Sequence, residues 1–425
     1  MHRKSTTTFC TVFLLTVVSA CKLSFADWPE FRGPLQNGQI SAGKLPSNWS
    51  ESENVRWFVK TKGLGWSSPV IVAERIYFTS ATNAEESVSE SGELRGRQRL
   101  NLVCLSAKDG KEVFSKVIFE QPKDAPQIHN KNSHASPTPV IELDRIYVHF
   151  GHQGTACTDL DGNKIWENRD HAFPPTHGNG GSPILVDGKL VLTCDGGQTP
   201  YTLALDALSG KEAWKTFRNT PAERPFSFCT PQLISVNGTK QIVSQGTNIV
   251  QSLSPADGSV LWFLRYDGYS VVPRPLFHQG VLLICTGFGN TKVLAIDPTG
   301  SGDVTETHLK WSFDTSVPQT PSLVCFENQV IMASDGGIAT GVDIETGKEI
   351  WRKRLGGNFS ASPLLTGDTI YFQSESGEAL VMKLGEQLEE IARNSLPGRI
   401  FASYAVVDND LIIRAEQGVY RIGQP

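Results

Sequence analysis

Short apolar runs separated by turn residues recur along the chain from about residue 54 to its end. The runs are rich in β-branched, aromatic and aliphatic side chains, and the intervening stretches are rich in glycine, aspartate and asparagine; examples of the runs are RIYFTSA, RIYVHFG, KLVLTCDG, VLLICTG and TIYFQSE. Such runs are typical of β-strands, and the Asp-Gly and Ser-Gly pairs between them are typical of tight turns. The pattern predicts an all-β chain.

The runs are grouped in fours. A small or polar residue and a proline precede the first run of most groups, as in SSPVIV, GSPILV and ASPLL, and an aromatic residue marks the fourth. This aromatic residue returns every 40 to 57 residues, at Trp57, Phe114, Trp166, Trp214, Trp262, Trp311 and Trp351. A repeat of this length, built from four short strands, is typical of a propeller blade.

The repeats predict an eight-bladed β-propeller of four-stranded antiparallel blades with tryptophan-docking repeats, formed by residues 54–425 as a single domain. The last repeat contains only three strands, so the strand NVRWFVK at 54–60 is expected to complete it and close the ring. Closure removes the free sheet edges of an open array. Residues 27–53 are predicted to form an N-terminal extended segment.

The repeated aromatic residues are predicted to be structural. An indole on the outermost strand can lie between neighbouring blades while its N–H bonds to a backbone carbonyl. The glycine four residues earlier is expected to leave room for the ring.

The segment at 204–214, ALDALSGKEAW, resembles the AxDxxxGxxxW docking repeat of the PQQ-like, or quinoprotein-type, β-propellers. Asp343, Gly347 and Trp351 follow the same spacing. The resemblance extends over roughly residues 54–425 and is closest to single-propeller members: exported bacterial PQQ-like repeat proteins and the BamB-type outer-membrane assembly lipoproteins. It implies an eight-bladed scaffold outside the cytoplasm.

The enzymes of this family are PQQ-dependent alcohol dehydrogenases, and the chain lacks several of their features. The resemblance implies an adjacent cysteine pair beside the quinone, but no two cysteines are neighbours here. No run matches the calcium-binding Glu and Asn with the Asp base. The resemblance therefore implies the scaffold, with no cofactor expected; PQQ with calcium belongs to an alternative hypothesis, a dehydrogenase-like oxidoreductase.

Residues 1–26 have the form of a signal peptide, with a basic start and a short apolar core, and small residues precede Asp27 as for cleavage. An alternative is the lipobox Val18-Ser19-Ala20-Cys21, which would make Cys21 a lipidated anchor. Both interpretations predict export to the periplasm or cell envelope. No other segment is long and apolar enough to be expected to cross a membrane.

The net charge limits the classes of partner that the protein is expected to bind, and the cysteines are expected to be structural. The net charge is −5, and removal of the basic leader makes it more negative, so nucleic acid is not an expected partner. A monomer that binds a protein, a peptide or a small ligand is expected. The cysteines after residue 26 lie singly in apolar stretches and are predicted to be buried free thiols: Cys104, Cys157, Cys194, Cys229, Cys285 and Cys325.

Loops that lead into innermost strands, and loops that join second to third strands, share one face of a propeller. This channel face surrounds the central channel and is the expected ligand site. Its candidate ligand-binding residues are Trp66, Asn132, His134, His152, His177, Asn179, Asp195, Arg274, Gln319, Asn358 and Tyr404. Arg274, between two prolines, could hold an acidic group or form an ion pair between blades.

Three functions remain open from the sequence. The first is a non-catalytic binding or scaffold propeller that recognises a peptide, protein or small ligand on its channel face; no catalytic residue is assigned. The second is the dehydrogenase-like oxidoreductase. The third is a metal-dependent hydrolase or lyase using His134, His152 and His177, although their spacing matches no metal motif and no metal ligand is assigned.

The charged insertion at 85–99 interrupts the blade pattern and is expected to extend a loop on the channel face.

Overall fold

We analysed a computed structural model of the chain, which describes residues 27–40, 43–84, 97–197 and 199–423. The predicted leader, Cys21 and most of the charged insertion lie outside these residues. Before the first blade come β1 (Gln39–Ile40) and β2 (Val55–Lys60).

Eight antiparallel sheets follow one another around the ring, each running from an inner to an outer strand. Blade 1 contains β3 (Val70–Val72), β4 (Arg75–Asn83), β5 (Gln98–Ser106) and β6 (Glu112–Gln121). Blade 2 contains β7 (Val140–Glu142), β8 (Arg145–His149), β9 (Thr155–Asp159) and β10 (Lys164–Asn168), with a 3₁₀ turn at Gly151–Gln153. Blade 3 contains β11 (Ile184–Val186), β12 (Lys189–Cys194), β13 (Tyr201–Asp206) and β14 (Glu212–Phe217). Blade 4 contains β15 (Gln232–Val236), β16 (Thr239–Gly246), β17 (Ile249–Leu253) and β18 (Val260–Arg265).

The second half of the ring repeats this order. Blade 5 contains β19 (Leu276–His278), β20 (Val281–Cys285), β21 (Val293–Ile296) and β23 (Leu309–Phe313), and its short β22 (Gly302–Asp303) pairs in parallel with the outer edge of blade 4. Blade 6 contains β24 (Val324–Phe326), β25 (Gln329–Ala333), β26 (Ile338–Asp343) and β27 (Glu349–Arg354). Blade 7 contains β28 (Leu364–Thr366), β29 (Thr369–Gln373), β30 (Glu378–Lys383) and β31 (Glu389–Ser395). Blade 8 contains β32 (Ala405–Val407), β33 (Asp410–Ala415) and β34 (Gly418–Ile422).

The ring closes through the N-terminal strand, as predicted. β2 pairs antiparallel with β34, from Val55 opposite Ile422 to Lys60 opposite Gly418, and so becomes the outer strand of blade 8. The predicted eight-bladed, four-stranded architecture is therefore confirmed. Closure joins the two ends of the propeller and covers the outer edge of β34.

The repeated aromatic residues contact the blade that follows their own. A side chain added to the turn glycine of the next blade would come within 2.5 to 2.8 Å of the aromatic ring in five pairs: Gly110 with Trp57, Gly162 with Phe114, Gly210 with Trp166, Gly258 with Trp214 and Gly347 with Trp311. The glycine that makes room for a ring thus belongs to the next blade and not, as predicted, to the aromatic residue's own repeat. Each ring and its neighbouring turn hold two blades together.

The indole N–H groups follow two patterns. Four donate to a backbone carbonyl of the next blade: Trp57 to Ala107, Trp166 to Ala207, Trp214 to Pro255 and Trp311 to Ile344. Two donate instead to a glutamine side chain of their own blade, Trp262 to Gln241 and Trp351 to Gln329. Those glutamines in turn donate to carbonyls of the next blade, so the side chain relays the contact.

Blade 7 carries Ala392 where the other outer strands carry an aromatic residue. An N-terminal residue packs beside it: Trp49 is buried in the core cluster shared by blades 7 and 8 and lies nearly parallel to the ring of Tyr371. Its backbone N–H donates a hydrogen bond to the side-chain oxygen of Asn394 in β31. An indole from outside the repeats therefore stabilises the junction that lacks one of its own. The six cysteines after residue 26 are buried and free, which confirms that prediction.

Candidate binding site on the channel face

Residues 27–40 fill the central channel from the face opposite to the channel face. Trp28 exchanges two 2.8 Å backbone hydrogen bonds with Ile71 of β3, and the carbonyl of Pro29 accepts a bond from Ile141 of β7. After a series of turns, β1 pairs in parallel with the inner edge of β28. We call residues 27–40 the channel segment.

Two buried arginines fix the channel segment at mid-depth. Arg32 donates from Nη2 to the carbonyl of Leu323, 2.7 Å away. Arg274 donates from Nη1 to the carbonyl of Phe31 at 2.7 Å and lies 3.4 Å from the carboxylate of Glu30. Burial raises the pKa of Glu30, and the charge of Arg274 opposes that shift. Together with the backbone contacts above, these bonds join the channel segment to five blades, which are blades 1, 2, 5, 6 and 7. In each blade the partner lies in the inner strand or in the loop before it.

A belt of hydroxyl groups surrounds the channel between the channel segment and the loops of the channel face. The backbone N–H at the start of an inner strand donates to the hydroxyl at the equivalent position of the next blade, over 2.9 to 3.1 Å, in seven of the eight junctions. The belt hydroxyls belong to Ser68, Thr138, Ser182, Thr230, Ser322, Ser362 and Ser403. Blade 5 carries Arg274 at this position, and its Nε donates to the carbonyl of Pro231.

The channel segment and the belt together form the bottom of a cavity of about 590 Å³, which we call the cup. Phe31 reaches it from below, and the channel-face loops form its walls. Its lining consists of Phe31, Trp66, Ser68, His129, Lys131, Asn132, Ser136, Thr138, His177, Gly180, Ser182, Arg224, Phe226, Phe228, Tyr269, Ser270, Val272, Phe288, Thr320, Ser322, Ser360, Ser362, Phe401 and Ser403. This volume is in the range of sites that hold a small ligand or a few side chains of a partner.

A series of aromatic rings forms one wall of the cup. Phe226 is at its centre, with edge-on contacts to His177 at 5.2 Å and Tyr269 at 6.0 Å between ring centroids. His129 extends the series beyond His177, and Phe288 extends it beyond Tyr269. Loops of four successive blades, blades 2 to 5, hold these rings, so the wall is positioned by a rigid scaffold while its faces remain open to a ligand.

The opposite wall is smaller. Trp66 and Phe401 lie 4.7 Å apart, and the guanidinium of Arg399 lies over both rings. The indole N–H of Trp66 is buried and has no hydrogen-bond partner among the residues that the structure describes. The cup is therefore apolar on two sides and hydroxyl-rich at its bottom.

The mouth of the cup is basic. Lys131 forms a 2.8 Å ion pair with Glu375, whereas Arg224 stacks over the ring of Tyr269 at 4.7 Å and donates to its hydroxyl at 2.5 Å. Within residues 27–40, 43–84, 97–197 and 199–423, no aspartate or glutamate lines the cup. Burial, aided by the nearby charges of His177 and Lys131, lowers the pKa of His129, which favours its neutral form.

The structure brings three of the predicted ligand-binding residues to the cup: Trp66, Asn132 and His177. The carbonyl of His177 accepts bonds from the backbone N–H of His129 and the side-chain amide of Asn132, which hold the loop in place. His152 and Asn179 contact each other beside the cup without lining it. Burial, with the charge of His134 nearby, lowers the pKa of His152 to about 4.

The other candidates have different positions. Asp195 is buried in a two-pronged ion pair with Arg218, at 2.6 and 2.9 Å. Arg274 of blade 5 forms an ion pair with Glu30 of the channel segment, so its charge faces Glu30 and not the cup. Tyr404 is buried and donates to Gln373.

Two further candidates also lie outside the lining. Gln319 bonds to Asp335 through its backbone and to Thr291 through its side chain. Asn358 is exposed, and its carbonyl accepts a bond from Glu375.

The residues that carry most of the apolar lining were not among the predicted site residues. Phe226, Phe228, Tyr269 and Phe401 lie in the loops before inner strands, so their loop position was the available signal. Phe31 had no such signal, because it lies outside the repeats.

The donor set does not fit the metal or quinone hypotheses. Among the residues that the structure describes, no group of three His, Cys, Asp or Glu side chains could hold a metal ion. The described lining of the cup offers no carboxylate to a calcium ion, which the resemblance to the dehydrogenases implies beside the quinone.

Comparison with known proteins gives a family and a fold. A family model described as outer membrane protein assembly factor BamB matches residues 50–200, 176–323 and 292–390. The outer membrane protein assembly factor BamB of Yersinia pestis is 24% identical over 238 residues, which is 49% of this chain and 57% of that protein. The chain thus spans little more than half the length of this relative.

Solved structures show the same architecture. BamB from Moraxella catarrhalis aligns with a TM-score of 0.56 at 14% identity, covering 87% of this chain and 97% of that one. The quinohemoprotein alcohol dehydrogenase from Comamonas testosteroni aligns with a TM-score of 0.63 at 12% identity, covering 94% and 81%. At these identities the likeness shows the fold alone. Within the described residues, no helix has the length and apolar character needed to cross a membrane.

Proposed function

The chain belongs to the family of outer membrane protein assembly factor BamB, and on that premise we propose that it is an exported, non-catalytic scaffold that binds a protein partner in the cup. The observation that carries this proposal is the cup itself. Its bottom is sealed by the chain's own residues, its walls are aromatic, and the part of the chain that the structure describes contributes no carboxylate to its lining.

The chemistry of the lining favours binding over catalysis. Aromatic side chains on rigid elements supply large contact areas at low entropic cost, and such residues dominate the binding energy of protein interfaces. Among the described residues of the lining, no pair of carboxylates is available to act as general acid and general base. The cup is suited to accept one or two apolar side chains of a partner.

The name of the relatives indicates where this binding would be used. We propose that the partner is a protein of outer membrane assembly and that the chain acts in the periplasm. Lipidation of Cys21 would hold it at the membrane, and cleavage before Asp27 would release it. Asp27 begins the channel segment. The mature N-terminus, whether Cys21 or Asp27, would therefore be near the end of the channel that faces away from the cup.

Deletion of the gene in the source bacterium tests the proposal. We expect a lower fraction of folded outer membrane proteins in the envelope, measured by their heat-modifiable migration in gels. Wild-type protein should restore this fraction, and the double variant Phe226→Ala/Phe228→Ala should not, although it accumulates normally. Phe263→Ala, on the outer strand of blade 4, is the matched control and should restore it.

Two results would overturn the proposal. The first is an unchanged fraction of folded outer membrane proteins after deletion. The second is oxidation of an alcohol by the purified protein supplied with PQQ and Ca²⁺, followed as dye reduction, because a scaffold has no turnover.

A further inference from the structure

We propose that the cup recognises an acidic peptide segment that carries an aromatic or large aliphatic side chain. The inference rests on the proposed function and specifies the chemistry of the partner. In this arrangement the apolar side chain enters between the two aromatic walls, the peptide carbonyls face the belt hydroxyls, and an acidic side chain lies at the mouth beside Arg224.

The bottom of the cup supplies hydrogen-bond donors. Six of the seven belt hydroxyls line the cup, and each accepts a bond from the backbone N–H of the preceding blade. A hydroxyl that accepts in this way keeps its own proton for a further acceptor. Since none of the described residues that line the cup is a carboxylate that could receive these protons, the matching groups of a ligand are acceptors, such as peptide carbonyls.

Arg224 supplies the charge at the mouth. It is exposed, and no carboxylate within the described ranges pairs with it. The two other cations near the cup are already neutralised: Lys131 pairs with Glu375, and Arg399 pairs with Glu416. Stacking on Tyr269 fixes the guanidinium of Arg224 in one orientation, which leaves its remaining N–H groups for a carboxylate.

The walls supply the apolar contact. Phe226 and Tyr269 are only partly buried on one side, and Phe401 is partly buried on the other. Burial of their exposed ring surface requires an apolar group between them. A side chain meets this need while its backbone stays near the mouth, so an internal peptide segment fits better than a chain end.

Fluorescence anisotropy with labelled octapeptides tests the inference. The reference peptide is acetylated and amidated, with two aspartates flanking one phenylalanine in a Gly-Ser background. We expect it to bind at least tenfold more tightly than the version with alanine for phenylalanine. Replacement of both aspartates by asparagine should weaken binding about two- to fivefold per charge lost, and lysine should weaken it further.

Protein variants assign the effect to the cup. Arg224→Gln should weaken the aspartate peptide about two- to fivefold and leave the asparagine peptide unchanged. Arg265→Gln is the matched control, because Arg265 is an exposed arginine stacked on Phe263 far from the cup. It should bind both peptides as the wild type does.

The outcomes separate this inference from the proposed function. Equal binding of the aspartate, asparagine and lysine peptides overturns the inference, as does a failure of all peptides to bind at millimolar concentration. A peptide with a free C-terminus that binds more than tenfold tighter than the amidated one shows a chain end instead of a segment, and also overturns it. None of these results changes the outcome of the deletion experiment or of the alcohol-oxidation assay, which together decide the scaffold role.

Discussion

The guanidinium Nη1 of Arg274 donates a 2.7 Å hydrogen bond to the backbone carbonyl of Phe31, and the two residues thereby join the inner part of blade 5 to the bottom of the cup. The same side chain lies 3.4 Å from the carboxylate of Glu30. One arginine thus holds two consecutive residues of the channel segment. The shape of the cup depends on this contact, because Phe31 forms its bottom.

Loss of Arg274 is predicted to destabilise the propeller. In Arg274→Met the carboxylate of Glu30 stays buried without its partner, and the expected loss in the free energy of unfolding is about 3–5 kcal/mol. Denaturation in urea, followed by tryptophan fluorescence, measures it. The double variant Glu30→Gln/Arg274→Met removes the stranded charge and should recover part of the loss. A double variant as unstable as the single one would show that the ion pair is not the source.

The hydroxyl belt makes a second prediction. In Thr138→Val the side chain keeps its shape but no longer accepts the hydrogen bond from the N–H of Ser68, which remains buried. The unpaired donor is expected to cost about 1–3 kcal/mol of unfolding free energy. Thr138→Ser keeps the acceptor and serves as the control. If valine and serine cost the same, the hydroxyl contributes nothing beyond its volume.

The blades were predictable because their signals are local and repeat. A serine or threonine before proline starts most inner strands, and an aromatic residue marks most outer ones, so the position of each strand follows from counting. The belt uses the same serines and threonines. Their mutual hydrogen bonds could not be derived, because they join residues that only the closed ring brings together.

The channel segment could not be predicted for a different reason. Its partners, such as Ile71, Leu323 and Leu365, are spread over the whole chain, and nothing periodic in residues 27–40 points to them. The histidines show the opposite error. The sequence suggested one site for His134, His152 and His177, but His177 lines the cup while His152 lies beside it, where burial lowers its pKa to about 4.

The contact between blades 2 and 3 gives a third prediction, with a control built into the chain. Gly210 and Gly188 have nearly the same backbone angle, with φ of 71° and 73°. A side chain at Gly210 would meet the ring of Trp166 at 2.5 Å, whereas one at Gly188 would meet nothing within 4 Å. Both alanine substitutions should cost about 1–2 kcal/mol for the left-handed backbone.

Gly210→Ala should cost about 1–3 kcal/mol more than Gly188→Ala, because the ring must move. Urea denaturation of the two variants gives this difference directly. Equal losses would mean that Trp166 shifts freely and that the indole does not fix the distance between the blades.

The turn that presents Gly210 also makes stability depend on pH. Asp206 accepts hydrogen bonds from the hydroxyl and the backbone N–H of Ser209, and these bonds lower its pKa below the ordinary value of 3.8. Since the folded protein favours the carboxylate, this stabilisation is complete above the unfolded pKa and disappears as the pH falls through the folded pKa. It should amount to less than about 1 kcal/mol, because the group is exposed to solvent.

Asp206→Asn should remove that dependence. The difference in unfolding free energy between the wild type and Asp206→Asn is expected to be constant from about pH 7 to 5 and to shrink below about pH 4. Ser209→Ala, which removes one of the two hydrogen bonds, should reduce the change without abolishing it. A difference that stays constant down to about pH 3, or grows there, would contradict this prediction. It would show that folding does not favour the ionised form of Asp206 over the protonated form.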